Sequence, residues 1–94
     1  MKVLGKKVLD EAQKKHGDLA SPLAACAKIA ETSSWTSLND IRKTLPKTDA
    51  VGGRHVFIIK GDTYRLITTI NFASSTIFVD KVLTHAEYTK GGWK

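Results

Sequence analysis

The chain has 94 residues, fifteen Lys and Arg against nine Asp and Glu for a formal charge of +6, and a single cysteine. That length supports one hydrophobic core, so one domain over residues 1–94 is expected and a separate cofactor-binding domain is excluded. Cys26 has no disulfide partner within the chain, no apolar run approaches the roughly 18 residues of a membrane span, and the basic start lacks the apolar stretch of an export signal. A soluble cytoplasmic protein with no membrane partner is expected. Residues 1–50 carry nine basic against six acidic side chains and residues 51–94 carry six against three, so each half is +3. Charge spread in this way suits a polyanionic partner such as RNA, DNA or an acidic protein.

In chain order, Val3-Leu4 suggests a short strand, and Val8 to His16 reads as an amphipathic helix stopped at Gly17. Lys14 and Lys15 fall in its last turn, where the helix dipole favours cations. Ser21-Pro22 opens a second, alanine-rich helix through Leu23, Cys26, Ile29 and Ala30, with Ser21 as cap and Pro22 at the first helical position. Its small side chains suit close packing on the first helix, and Cys26 is expected to pack there as a small apolar residue. Trp35 is expected to anchor the following loop. Ser37 to Leu45 forms a third helix, with Leu38, Ile41 and Leu45 at helical spacing and Pro46 enforcing the stop.

After Gly52-Gly53 the pattern becomes strand-like. Arg54 to Lys60, Thr63 to Phe72 and Thr76 to Thr84 are rich in Val, Ile, Phe, Tyr and Thr, and are separated by Gly61-Asp62 and Ala73-Ser74-Ser75. Short connections predict an antiparallel meander. Helices first and strands second argue for an α+β fold, with N-terminal helices packed on one face of a C-terminal antiparallel sheet. Alternation puts Tyr64, Leu66, Thr68, Ile70 and Phe72 toward the helices, and Arg65, Ile67, Thr69 and Asn71 on the opposite face.

The last strand runs into Thr84-His85-Ala86-Glu87-Tyr88-Thr89-Lys90. Thr84 followed by Glu87 three residues on is the capping-box spacing, which satisfies free N–H groups at a helix start. A helix there sets His85 and Tyr88, three residues apart, on one face. Arg65 has a planar fork that can meet two phosphate oxygens. Histidine exchanges protons near neutral pH, and Tyr88 can stack on a base, orient a hydroxyl or carry a proton. Arg54 and Lys60 share a side under alternation and extend the cationic surface, as do Lys81 and Lys90. Each has a plainer reading: Tyr88 as cover for the core, the lysines and Arg54 as solvated charges, and Arg65 paired with Asp80 across adjacent strands. His16 and His55 are expected to be structural or exposed. Trp93 either docks on the sheet or stacks on RNA. His16, His55, His85 and Cys26 form no compact ligand set, and no Gly-rich loop leads into a Lys-Ser/Thr pair, so neither a metal nor a cofactor is expected.

Three blocks, Val51-Gly52-Gly53-Arg54-His55-Val56-Phe57, Lys60-Gly61-Asp62-Thr63-Tyr64-Arg65-Leu66-Ile67 and Thr84 to Lys90, together with their spacing, resemble the HigB-type toxins of bacterial toxin–antitoxin pairs, a branch of the RelE/ParE superfamily. The resemblance implies a RelE-like fold and ribosome-associated cleavage of messenger RNA. Arg65, His85 and Tyr88 would be its catalytic residues, and Arg54, Lys60, Lys81 and Lys90 its RNA-binding ones. It also implies a HigA-like helix-turn-helix antitoxin, with operator DNA reached only through that partner. Ile58 departs from the family's usual Asn, Thr89 from its Asp, and Asp80 from a basic residue. Lys81 would replace the missing cation if the strand bulges. A non-catalytic member that binds RNA or an antitoxin is the alternative. A DNA-binding module has only Arg42 and Lys43 on the third helix as readers.

Overall fold

The computed structural model describes residues 1–61 and 63–93. A short strand β1 (Lys2–Leu4) leads into helix α1 (Lys6–Lys15), a 3₁₀ turn (Gly17–Leu19) runs into α2 (Ala20–Thr32), and α3 (Leu38–Thr44) follows. Then come strands β2 (Asp49–Val51), β3 (Arg54–Ile59), β4 (Tyr64–Asn71) and β5 (Thr76–Thr84), and a final short helix α4 (His85–Lys90). Among the described residues no helix is long and apolar enough to cross a membrane.

The strands form one sheet in the order β1-β5-β4-β3-β2. The β3–β4–β5 meander is present with antiparallel pairing. The expected all-antiparallel, C-terminal sheet is corrected to a mixed one, because β1 pairs with β5 in parallel. Two elements at opposite ends of the sequence meet there. The link from β1 to α1 depends on Gly5, whose φ of 84° is left-handed. A Cβ at this position would stand 2.7 Å from the Val79 carbonyl oxygen. Residue 5 is therefore glycine for two reasons, backbone conformation and close approach to β5. The second helix begins earlier than expected, at Ala20, because the 3₁₀ turn winds straight into it around the fully buried Leu19. Ser21 is not its cap. Pro22 still lies in the first turn, where no backbone donor is required.

Tyr64 and Leu66 of β4 join Leu9, Leu23, Phe57 and Val79 in the main apolar cluster. Ile67, on the other face, forms a smaller one with Val56 and Trp93. Trp35 lies tilted on Phe57 with ring centroids 6.2 Å apart. Cys26 is buried, and burial pushes its thiol up to about 11, so it acts as a small apolar residue. One irregularity bears on the site: Ile67 pairs with Lys81 and Thr68 with Val79, which leaves Asp80 as the extra residue of a β-bulge. Because cross-strand partners share a face, Leu83 and Lys81 fall on the Arg65 side.

Candidate active site

α4 starts where the sequence places it. The Thr84 hydroxyl oxygen accepts from the Glu87 amide at 3.2 Å, and the Thr84 amide donates to the Glu87 carboxylate at 3.0 Å. That backbone donor, foremost, holds the Glu87 carboxyl below its ordinary value. The His85 amide donates to the Thr63 carbonyl at 2.9 Å, which ties the helix start to the β3–β4 connection. Gly91, with φ of 75°, closes the helix in the left-handed conformation.

This geometry brings the three expected catalytic side chains together. Arg65, opposite Leu83 on β5 and Ile58 on β3, is only 6% exposed. One guanidinium nitrogen lies 3.1 Å from His85 Nδ1, another donates to the Tyr64 carbonyl at 3.3 Å, and the carbon between them lies 5.2 Å from the centre of the Tyr88 ring. A guanidinium only donates, so Nδ1 of His85 accepts, and the neutral ring carries its proton on Nε2. The cation over the Tyr88 ring adds an attraction to the quadrupole of the aromatic face. His85 is exposed and Tyr88 half-buried, so the buried charge has two reactive groups at its solvent rim.

The other cations are placed differently. Arg54 donates to the Trp93 carbonyl at 3.0 Å and so holds the C-terminal segment. Lys60 lies away from Arg54: it has a positive φ of 52°, which breaks the strand alternation, and it pairs with the Asp18 carboxylate. The Tyr64 hydroxyl donates to the same carboxylate at 3.3 Å. Lys81 is exposed, and the bulge gives it the Arg65 face. Lys90 is exposed in the last turn of α4. Asp80 accepts from the Thr69 hydroxyl at 2.7 Å, further along the strands from Arg65. Asp62, the second residue of the expected hairpin turn, lies outside the described residues, as does Lys94.

Sequence reasoning left the role of Trp93 open. It is 5% exposed, stacks on Tyr88 with centroids 5.1 Å apart and planes 17° apart, and donates from Nε1 to the Tyr88 carbonyl at 3.0 Å. Its signal in the sequence is only an aromatic residue after a Gly-Gly pair. His55 is structural: its ring meets Phe72 edge-on at 5.5 Å, and its buried Nδ1 has no hydrogen-bond partner among the described residues.

The profile of the HigB toxin family, described as the RelE-like toxic component of a toxin–antitoxin system, matches residues 19–91. The chain belongs to the HigB toxin family. A search of curated proteins returned no match. The family match spans α2 through α4, so it takes in every residue of the Arg65–His85–Tyr88 group. As a HigB-family toxin, the protein has an antitoxin as its counterpart.

Proposed function

We propose that this HigB-family toxin is a metal-independent endoribonuclease that cuts messenger RNA on the ribosome and thereby stops translation in the cytoplasm. The observation that carries this reading is the convergence of Arg65, His85 and Tyr88 at the junction of β4 and α4. In such cleavage the ribose 2′-oxygen attacks the adjacent phosphorus as its proton leaves. The bond from phosphorus to the 5′-oxygen of the next nucleotide breaks, and that oxygen takes up a proton. The Arg65 guanidinium supplies fixed positive charge for the phosphoryl oxygens in a largely buried setting, where it acts more strongly than in water. His85, with Nδ1 held by Arg65, presents Nε2–H to a phosphoryl oxygen. Tyr88, at the rim, is the group best placed to pass a proton. Ile58, the cross-strand partner of Arg65, lines an open hollow of about 310 Å³ with Leu45, Pro46, Lys47 and Thr48, and its apolar side chain suits a flanking base. Lys81 and Lys90 hold neighbouring phosphates. A HigA-like helix-turn-helix antitoxin neutralises the toxin and carries it to operator DNA.

Induced expression in a bacterial host tests this reading. Growth arrest with fragmented transcripts is expected. Normal growth with intact transcripts, at a verified level of soluble protein, would leave only a binding role for the fold.

A further inference from the structure

Trp93 lies beyond the last turn of α4, yet its side chain is one of the most enclosed on the Arg65 face of the sheet. Three separate contacts fix it. Its ring sits on Val56 and Ile67, its Nε1 donates to the Tyr88 carbonyl at 3.0 Å, and its own carbonyl accepts from Arg54 at 3.0 Å. The stack with Tyr88 at 17° then occupies one face of that ring. This leaves Tyr88 without the freedom a six-residue helix would otherwise allow it, and its ring is held where the Arg65 guanidinium lies over it at 5.2 Å.

We infer that Trp93 is a positioning residue: by stacking on Tyr88 and being pinned by Arg54, it sets the Tyr88 ring against Arg65. Arg54 acts in this arrangement as the anchor of the segment. The stack also rules out Tyr88 as a platform for a base on the face that Trp93 covers. The consequence for cleavage rests on the endoribonuclease reading above; the geometric link between Trp93 and Arg65 does not.

Two variants separate the link from simple loss of fold. Trp93→Phe keeps a stacking ring and loses the Nε1 donor, whereas Trp93→Ala loses both. In the wild-type protein the Tyr88 ring current should shift the Arg65 side-chain proton resonances upfield. That shift should persist in W93F and collapse in W93A, measured at a temperature where circular dichroism shows both variants folded. In a cleavage assay on programmed ribosomes, W93A should lower kcat on the order of tenfold to a hundredfold with little change in KM, since a small misplacement of reacting groups has a cost of that size. W93F should restore most of the rate. Unshifted Arg65 resonances in the wild type, an unchanged shift in W93A, or W93A cleaving at the wild-type rate would overturn the inference. A wild-type protein that shows the shift and cleaves nothing would overturn the proposed function while leaving the positioning role supported.

Discussion

Removing the Arg65 guanidinium should lower cleavage by on the order of a hundredfold, about 3 kcal/mol of lost transition-state stabilisation. Arg65→Lys should recover little of this, because a single ammonium cannot reproduce the two guanidinium nitrogens that meet His85 Nδ1 and the Tyr64 carbonyl with the carbon between them over Tyr88. Lys60→Ala is the control for that loss. Its charge is spent on Asp18, so cleavage in the same assay should stay close to wild type. A large loss would mean that Lys60 leaves that pair to meet RNA. His55 gives a pH dependence with a defined sign. Burial holds its ring below the ordinary histidine value of 6.5, so the unfolded chain takes up a proton first as pH falls. Folding stability should therefore be intact above about pH 6.5 and decline below it. Denaturant midpoints from pH 7.5 to 5 should show the decline in wild type and less of it in His55→Phe.

At the level of the element, the capping box is the hinge between sheet and site. Thr84→Ala should cost about 1 kcal/mol, felt mainly as fraying of α4. Glu87 adds an acid limb to the same element. Its carboxyl is held low by the Thr84 amide, so its contribution is present above the ordinary glutamate value of about 4.3 and lost as pH falls through the lowered one. Amide exchange across Thr84 to Lys90 should accelerate in that range before the sheet opens. These residues were legible in the sequence because capping is local, and so were the three long strands and the two faces of β4. What was not legible depended on distant partners or on a single backbone angle. The parallel pairing of β1 with β5 joins the two ends of the chain, and the three-residue β2 has too few residues to show a period. The positive φ of Lys60 turned it away from Arg54, whereas the bulge at Asp80, which the sequence offered only as a condition, puts Lys81 on the Arg65 face. Trp93 could be placed only once Val56, Ile67 and Tyr88 were seen to converge on it.

For the whole molecule, the sheet divides its labour by face. One face carries the main core with the helices, and the other carries a small apolar cluster, the buried Arg65 and the exposed His85 beside it. A net charge of +6 suits a polyanion without selecting its sequence, so if RNA is the substrate, as proposed, its association should weaken steeply with salt. On the proposed reading, cutting falls to the Arg65–His85–Tyr88 group. The most direct test maps transcript 5′ ends after brief induction of wild type and of the Arg65→Ala, Tyr88→Phe double variant at equal soluble expression. New ends clustered within translated regions in wild type, and absent from the double variant, are the predicted result. Identical cleavage maps from the two proteins would contradict the assigned site, and an absence of new ends in wild type would contradict the enzymatic role itself.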